Sequence, residues 1–365
     1  MLTCSDTASS SKQYLELVGQ KAIRNRIPMS GSIDLTHRCN LNCIHCYLGD
    51  KIRADRLAER ELPARRWCAV LDELADAGCL YLLFSGGEPL IRDDFGDIYT
   101  HAKKCGMLVT VFTNGTTITD GIVDLFRDYP PFAVEISIYG ASERTCERIT
   151  GRKDALARCL KGIEMLLAAG IRVSLKTVLM NQNRAELTAI GRIAENLGVD
   201  FRFDAAIFSG LNGEPLPQGI RVDPEAAVAL ELADAKRLGQ WRRYFLRMQG
   251  EPVSDRLYRC GAGETNFYID PYGFLTPCLM VTNPRYDLGA GSFLTGWHGE
   301  IAKIRERKTG DEFVCRTCEK RSLCEICPAF FRVETGSEQI RSEYICAMGR
   351  HRYRTVVASM DSKGD

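Results

Sequence analysis

Six short apolar runs, separated by stretches with helical periodicity, constrain the fold more than any other feature of the chain. The runs are rich in β-branched residues and lie at residues 31–37, 80–84, 108–112, 133–138, 172–179 and 200–206. Between them, apolar residues recur at helical spacing, as in Trp67, Val70, Leu71 and Leu74. Repeated alternation of strand and helix predicts an α/β fold with a parallel sheet and crossover helices. A complete eight-unit barrel would need more chain than this pattern occupies.

The pattern changes after residue 206, where the sequence "IFSGLNGEPLPQGIRVDP" is rich in glycine and proline and has no periodicity. Such a stretch indicates a linker, and a helical segment is expected at about 224–248. From Cys260 onward cysteines become dense and hydrophobic periodicity weakens, as expected where metal replaces a hydrophobic core. We therefore divide the chain into an N-terminal segment (1–30), a core (31–207), a linker and helical region (208–259), a cysteine-rich domain (260–347) and a C-terminal helix and tail (348–365).

Charge and hydropathy exclude several classes of partner. The 48 basic and 47 acidic residues leave a net charge of +1 without any block of like charge, so neither nucleic acid nor an anionic membrane is indicated. The N-terminus lacks a secretory signal, and the longest apolar stretches, such as residues 79–84, are too short to span a bilayer. We expect a cytoplasmic protein. In that reducing compartment the 16 cysteines favour metal or redox chemistry over disulfides.

Three of the cysteines lie together in "THRCNLNCIHCYLGD", directly after the first predicted strand. Cys39, Cys43 and Cys46 follow the spacing C-x3-C-x2-C, and soft thiolates select iron–sulfur clusters or zinc. A structural zinc site needs four ligands, and His45 is poorly placed to be the fourth because it is adjacent to Cys46. Three protein ligands would leave one iron of a cluster open.

This spacing after the first strand resembles the signature of radical S-adenosylmethionine (radical SAM) enzymes. The resemblance implies a 4Fe–4S cluster whose open iron binds the amino and carboxylate groups of S-adenosylmethionine, with His45 against the adenine. The segment "FSGGEPL" after the second strand places Gly86, Gly87, Glu88 and Pro89 where the family has its GGEP motif for the methionine amino group. Paired glycines allow close approach of a ligand, and a carboxylate accepts hydrogen bonds from an ammonium group.

The resemblance also suggests further cofactor contacts on later strands. The segment "TNG" closes the third strand, and "EISIYG" occupies the fourth with Tyr139 where many relatives carry an aspartate. An arginine of "ERITGR" is a candidate partner of the cofactor carboxylate, the alternative being a solvated helix arginine. The candidate residues are Thr113, Asn114, Ser137 (for the ribose), Arg148 and Arg152.

The C-terminal cysteines have their own pattern. A turn signature at Asp270–Gly273 predicts a hairpin that brings Cys278 near Cys260. The seven cysteines resemble the SPASM extension of radical SAM proteins, which carries auxiliary 4Fe–4S clusters. The resemblance implies a first cluster with three cysteines and no fourth, and a second cluster with four. The pair Cys324 and Cys327 has the spacing C-x2-C, whereas the usual spacing in the family is C-x3-C. The first set is Cys260, Cys278 and Cys327, and the second is Cys315, Cys318, Cys324 and Cys346. Zinc ribbons are the alternative for these seven ligands.

The remaining candidates carry weaker signals. Small buried hydrophobes are the ordinary role of the other cysteines, although a radical epimerase would need one such thiol as hydrogen donor. Lys176 and Asp204 lie on predicted strands, where alternation decides whether each faces the cavity. The histidines form no spaced ligand set. These other cysteines are Cys4, Cys68, Cys79, Cys105, Cys146 and Cys159.

The resemblance thus implies a partial six-unit TIM-like barrel with a small SPASM domain, and reductive cleavage of S-adenosylmethionine to a radical that abstracts a substrate hydrogen. Maturation of a ribosomally made peptide or protein is the first hypothesis, and chemistry on a small molecule such as a tetrapyrrole or amino sugar is the second. A non-catalytic electron carrier or zinc scaffold explains the cysteines but not Gly86–Pro89. Expected partners are an electron donor such as flavodoxin or ferredoxin and, because only about thirty residues precede the first strand, a separate peptide-recognition protein.

Overall fold

Strands and helices alternate through the first two thirds of the chain, in a computed structural model that describes residues 7–49, 55–211, 216–250 and 253–361. The strands are β1 (Ser30–Thr36), β2 (Tyr81–Gly86), β3 (Leu108–Thr113), β4 (Ala133–Ser137), β5 (Val173–Val178), β6 (Asp200–Asp204), β7 (Asn266–Ile269), β8 (Phe274–Thr276) and β9 (Tyr286–Asp287). The first six match the six predicted runs to within two residues at either end. The predicted α/β fold is therefore confirmed.

The helices cover the outer face of the sheet and continue into the C-terminal part. They are α1 (Thr7–Asn25), α2 (Ala64–Asp76), α3 (Phe95–Lys104), α4 (Asp120–Asp128), α5 (Glu143–Thr150), α6 (Ala155–Ala168), α7 (Leu187–Leu197), α8 (Pro224–Leu232), α9 (Ala235–Met248), α10 (Phe293–His298), α11 (Pro328–Thr335) and α12 (Glu343–Asp361). The helix predicted from residue 348 thus begins at Glu343. Cys4 and parts of the predicted N-terminal segment, linker and tail lie outside the described residues.

The six strands β1–β6 form a parallel sheet in sequential order, as in a partial TIM-like barrel. Successive side chains of a strand face opposite sides of the sheet. On β2 and β3, Leu82, Phe84, Val109 and Val111 are buried in the core formed with the helices. The intervening residues, such as Phe112, line a cavity on the other face.

Aromatic side chains form the centre of the core between the sheet and helices α3 and α4. The rings of Phe95 and Tyr99 stack with centroids 5.6 Å apart, and Phe126 of α4 lies 5.1 Å from Tyr99. All three residues are buried, and burial of each such side chain stabilises the fold by roughly 1.5–3 kcal/mol. The described helices include none that is long and apolar enough to cross a bilayer.

The sheet does not end at β1, which the sequence did not predict. The expected hairpin at Asp270–Gly273 forms between β7 and β8, and Asp270 Oδ1 accepts hydrogen bonds from the backbone N–H groups of Tyr272 and Phe274, both at 2.9 Å. Strand β7 then pairs in parallel with β1, so the hairpin extends the barrel sheet. The cysteine-rich part of the chain is consequently anchored to the strand that precedes Cys39.

The junction between β1 and β7 depends on a small residue opposite a large one. Gly31 has no side chain, and a Cβ atom there would lie 2.1 Å from Cζ of Phe267. The Phe267 ring packs edge-on against Phe293 and Trp297, with centroids 5.0 and 6.3 Å away. The backbone oxygen of Arg26, just after α1, accepts a hydrogen bond of 2.6 Å from Trp297 Nε1. One aromatic cluster therefore joins α1, β1 and the C-terminal part.

Replacing Phe267 should weaken this junction. We expect Phe267→Ala to lower the free energy of unfolding by about 3–5 kcal/mol, because the substitution leaves a cavity beside Gly31 and removes an aromatic contact. Phe132→Ala is the matched control, since Phe132 is 45 % exposed and its removal leaves no comparable cavity. Denaturant unfolding of both anaerobically prepared variants measures the difference. Equal losses in the two variants would contradict the assigned role of the cluster.

Candidate active site

The cysteine loop that follows β1 is held on the end of helix α5. The helix ends at Gly151, whose φ of 66° lies in the left-handed region that favours glycine. The last carbonyl groups of the helix, at Ile149 and Thr150, accept hydrogen bonds from the N–H groups of Ile44 and Asn42 at 2.9 and 2.8 Å. Helix termini leave such carbonyls without intrahelical partners. The loop therefore satisfies the helix end while the helix fixes the loop.

The three thiols of this loop share one cavity of about 460 Å³ on the inner face of the sheet. Burial raises the pKa of the Cys39 thiol to about 12 and also raises the pKa of Cys46. Metal binding requires thiolates and releases their protons, so a cation must supply the charge that makes these buried thiolates stable. Cys39, Cys43 and Cys46 are thus brought together as the sequence predicts.

The glycine pair at the end of β2, Gly86 and Gly87, supports the start of the same loop. A Cβ atom on Gly86 would lie 2.1 Å from the oxygen of Thr36, and one on Gly87 would lie 2.2 Å from the oxygen of Arg38. Gly86 has a φ of 133°, and the N–H of Gly87 donates to the Thr36 oxygen at 2.8 Å. Both glycines line the cavity. Their small size therefore permits close packing of two backbones, in addition to any approach by a ligand.

Glu88 is fully buried beside the cavity and does not line it. Its carboxylate accepts hydrogen bonds from the Thr113 hydroxyl at 2.8 Å and from the N–H groups of Asn114 and Leu90 at 2.7 and 3.2 Å. Burial raises its pKa to about 7, although these three donors act in the opposite direction. Glu88 fixes Thr113 and Asn114, which do line the cavity, while Pro89 is buried at the start of a short 3-10 helix.

His45 presents an unsatisfied group in the cavity wall. Its Nδ1 atom is buried without a hydrogen-bond partner among the described residues, and burial lowers the pKa of the ring to about 4, so the imidazole is neutral. The ring contacts that of Tyr139, with centroids 4.7 Å apart. Buried polar atoms rarely remain unpaired. The orphaned nitrogen therefore fits a site that a polar ligand occupies.

A charged group lies across the cavity from the cysteine loop. Lys176 of β5 lines the cavity, with its Nζ atom against the Phe112 ring, and burial lowers its pKa to about 7. Arg202 of β6 donates hydrogen bonds to Glu135 at 2.7 Å and Asp204 at 3.0 Å. Lys176 and Asp204, for which strand alternation left the direction open, both face the cavity. Ser137, which pairs with Lys176 in register, lines it as well.

Two predicted residues lie elsewhere. Arg148 donates to the backbone oxygen of Gln182, and Arg152 donates to the backbone oxygen of Asn40 at 3.2 Å. Neither residue is among those that line the cavity. The pairing of either arginine with a cofactor carboxylate stays a prediction, and in this structure both guanidinium groups donate to backbone oxygens instead. The cavity wall itself provides two cations, Lys176 and Arg202, and Arg202 is already paired with Glu135 and Asp204.

Sequence reasoning did not select the cavity wall contributed by β1 and β7. Asp34 is buried on β1, and its Oδ2 atom accepts a hydrogen bond of 2.7 Å from the hydroxyl of Tyr268 on β7. Both residues line the cavity, together with Tyr47 and Phe208. The only signal was the polar Asp34 within an apolar strand. The pairing of β7 with β1 was needed to place Tyr268 beside it.

The C-terminal cysteines separate into two groups. Cys278 and Cys327 are mutual neighbours of Cys260, and burial, followed by the nearby thiols, raises the pKa of Cys327 to about 12. Cys315 and Cys324 have the same relation to Cys318 and Cys346, and burial raises their pKa values to about 11 and about 12. The family resemblance implied the same two sets, and their role as ligands of two clusters stays a prediction.

The spacing of these thiols bears on the choice between zinc and clusters. Sulfur ligands on one tetrahedral zinc ion lie about 3.8 Å apart, given a zinc–sulfur distance of about 2.3 Å. In the described parts of the chain, no three cysteine sulfurs lie within 4.8 Å of one another, and the one trio of ligand atoms that does is Asp72, His101 and Cys105. The described cysteine sulfurs are therefore not already set at the spacing of a tetrahedral zinc site.

Helix α12 closes the second group. It carries Cys346, and a Cβ atom on its Gly349 would lie 2.0 Å from the sulfur of Cys324. Glycine at this position therefore makes room for the thiol. One turn later the guanidinium of Arg352 is buried and pairs with Glu231 of α8 at 2.9 Å.

Comparison with known proteins agrees with this geometry. The profile of the Radical SAM superfamily matches residues 33–193. The chain is 31 % identical over 349 residues to the PqqA peptide cyclase of Gluconobacter oxydans, and the match covers 85 % of this chain and 94 % of that protein. The chain belongs to the radical SAM superfamily. Family membership confirms the enzyme class and implies a 4Fe–4S cluster with S-adenosylmethionine.

Two further similarities extend over most of the chain. The AdoMet-dependent heme synthase of Methanosarcina barkeri is 27 % identical over 335 residues, which cover 86 % of this chain and 94 % of that enzyme. The crystal structure of Streptococcus suis SuiB bound to precursor peptide SuiA has the same fold, with a TM-score of 0.71 at 18 % identity. That match covers 95 % of this chain and 82 % of SuiB. The C-terminal cysteine-rich part is therefore of the SPASM type, as in these radical SAM relatives.

Lys176 should give the site a pH dependence. Its folded pKa of about 7 lies below the ordinary value of 10.5, so its positive charge is lost as pH rises through about 7. We expect the KM for S-adenosylmethionine to rise several-fold between pH 6 and pH 8.5, because an anionic group of the ligand loses its cation. Lys176→Arg should flatten this rise and Lys176→Met should give a high KM throughout. If the KM of Lys176→Arg rises with pH as steeply as that of the wild type, Lys176 is not the group whose titration weakens binding.

Proposed function

We propose that the chain cleaves S-adenosylmethionine reductively and uses the product to modify a ribosomally made peptide or protein. The observation that carries the proposal is one cavity containing the thiols of Cys39, Cys43 and Cys46, the unpaired Nδ1 of His45 and the cation of Lys176. Bound there, the cluster and cofactor supply one-electron cleavage of the sulfonium and abstraction of a substrate hydrogen.

The residues of the chain have separate tasks in this proposal. The three cysteines hold the cluster, and His45, neutral because of its burial, accepts a hydrogen bond from the adenine amino group. The paired glycines and Ser137 line the part of the cavity nearest the methionine and ribose, and Lys176 balances a carboxylate. The apolar wall, including Leu83 and Phe112, excludes water and so protects a reactive species from side reactions.

We propose two auxiliary 4Fe–4S clusters in the C-terminal part. The first is held by Cys260, Cys278 and Cys327 and has an open position, and the second by the other four cysteines of that part. The grouping of the thiols and their spacing support this proposal. A cluster with an open iron suits substrate binding, whereas a closed one suits electron transfer. An external electron donor of the flavodoxin or ferredoxin class would reduce the enzyme.

The peptide substrate is supported by similarity to proteins that carry peptides in their names. The PqqA peptide cyclase has the higher identity of the two relatives described, 31 % against 27 % for the heme synthase. The heme synthase, which matches over most of its length, supports chemistry on a tetrapyrrole side chain as the second candidate. We also propose a cytoplasmic location, in line with the fifteen free cysteines among the described residues.

The reaction class is tested with anaerobically reconstituted protein, S-adenosylmethionine and dithionite. We expect 5′-deoxyadenosine from the wild type and only background from a variant in which Cys39, Cys43 and Cys46 are all alanine. Mass spectrometry of short peptides encoded next to the enzyme and co-expressed with it then tests the substrate. A loss of two mass units indicates a cross-link or oxidation. A peptide whose mass is unchanged after reaction in ordinary water, but which takes up deuterium in deuterated water, indicates epimerisation. Modification of a porphyrin and of no peptide would favour the second candidate.

Iron analysis tests the auxiliary clusters. Cys278→Ala and Cys346→Ala each remove a ligand from a different proposed set, so each should lower the iron and sulfide content by about one third. Cys79→Ala is the control, because Cys79 is a buried cysteine of the barrel core. If each variant instead loses one zinc ion and its iron content does not change, the C-terminal cysteines bind zinc and not iron–sulfur clusters.

A further inference from the structure

A second, larger concavity lies outside the barrel and has no assigned role. It has a volume of about 1420 Å³ and lies between helix α9, strand β6 and the cysteine-rich domain. Cys260, Cys315 and Cys324 are in its wall, as are the aromatic side chains of Trp241 and Tyr244. We call this concavity the α9 groove.

The α9 groove has a strong excess of positive charge. Among the described residues that line it, ten are arginine or lysine and five are aspartate or glutamate. The whole chain has a net charge of only +1, so the groove concentrates cations that the rest of the surface balances. A concave surface with one sign of charge focuses the electrostatic potential and attracts ligands of the opposite sign.

Part of this charge has no compensation within the protein. Arg352 pairs with Glu231 and Glu325, and Arg202 pairs with Glu135 and Asp204. Other arginines of the groove are exposed and have no acidic partner in the described part of the chain; these are Arg243, Arg247, Arg259 and Arg316. Arg259 and Arg316 are adjacent in sequence to Cys260 and Cys315 and line the groove with them. Arg243 and Arg247 lie one turn apart on α9 and present their charge to the groove.

The groove adjoins the active-site cavity along β6. Arg202, Asp204 and Ala206, at the end of β6, line both the groove and the cavity. Among the described strands, β6 is the last of the sheet and pairs with β5 alone, so an extended chain on its other side would meet backbone groups that no strand occupies. Arg237 of α9 already donates to the outward carbonyl of Phe203 on that side, with both guanidinium nitrogens at 3.3 Å.

We propose that the α9 groove binds an acidic segment of the peptide substrate and directs the residue to be modified past the Arg202–Asp204 pair into the cavity. This inference rests on the proposed peptide function and locates its recognition site on this chain. An extended peptide fits because it offers backbone groups to β6 and carboxylates to Arg243 and Arg247. A globular acidic electron donor would need a flat or protruding surface to dock on, whereas these arginines line a concavity.

The binding test uses fluorescein-labelled octaglutamate as the probe and fluorescence anisotropy as the measurement, with the cluster-loaded enzyme. We expect the double variant Arg243→Glu, Arg247→Glu to weaken binding at least about tenfold, since two attractive charges become repulsive. The matched control is Arg65→Glu, Arg192→Glu, which makes the same change in net charge at exposed arginines outside the groove. Binding to the control should stay within about twofold of wild type. Equal weakening in both variants, or no binding to wild type, overturns the proposal.

Kinetics separate the peptide from an electron donor. The groove variant should form 5′-deoxyadenosine at the wild-type rate with either dithionite or reduced flavodoxin as reductant. A rate that falls with flavodoxin alone would assign the groove to the electron donor and overturn the proposal. Iron content and the circular dichroism spectrum, unchanged from wild type, show that the variant is folded and loaded.

The two proposals fail in different ways. If wild-type enzyme makes 5′-deoxyadenosine but modifies no peptide, the proposed substrate is wrong whatever the probe binding shows. If it modifies a peptide and the groove variant has an unchanged KM for that peptide, only the groove proposal is wrong. If both hold, the groove variant should raise the KM for the peptide about tenfold and leave kcat nearly unchanged, because docking is lost and the cavity is intact.

Discussion

The pairing of β1 on both of its edges is the constraint on which the rest of the structure depends. Strand β2 occupies one edge and β7 occupies the other, both in parallel. The cysteine loop starts where β1 ends, and the glycine pair that supports this loop lies at the end of β2. Strand β7 brings Tyr268 to Asp34 and leads into the hairpin before Cys278. A single strand therefore sets the relative positions of the cysteine loop, the cavity and the C-terminal domain.

Burial and charge act together in the cavity that this arrangement creates. Neutral His45, protonated thiols and the lowered pKa of Lys176 all result from removal of charged groups from water. An ionic cofactor would return charge to the same volume, and each of these groups would then regain a partner. The burial that shifts these pKa values therefore also favours a ligand that brings compensating charge into the cavity. Glu88 is different, because three donors already satisfy its carboxylate.

Much of the fold could be predicted from sequence because the six strands are short, apolar and bounded by helices with a clear period. The grouping of the three thiols of the loop could be predicted equally well, since they lie close together in the sequence. What could not be predicted depends on contacts between distant residues. The pairing of β7 with β1 joins residues more than 230 positions apart, and Gly31 gives no local sign of its partner Phe267. The surroundings of Arg148 and Arg152 could not be predicted either, because sequence does not show that their guanidinium groups donate to the backbone oxygens of Gln182 and Asn40. Alternation alone left Lys176 open until its neighbours on the sheet were known.

The contact between Gly349 and Cys324 has a consequence for the order in which the protein is made. Six of the seven C-terminal cysteines precede residue 328, whereas the seventh lies on α12 together with the glycine that accommodates Cys324 and the buried Arg352. During synthesis, the second set stays open to solvent until α12 has left the ribosome and packed on α8. Oxygen and competing metals then have access to three of its thiols. A nonsense mutation before residue 346 would therefore leave the barrel and six of the seven C-terminal cysteines, and the second set would lack its last member.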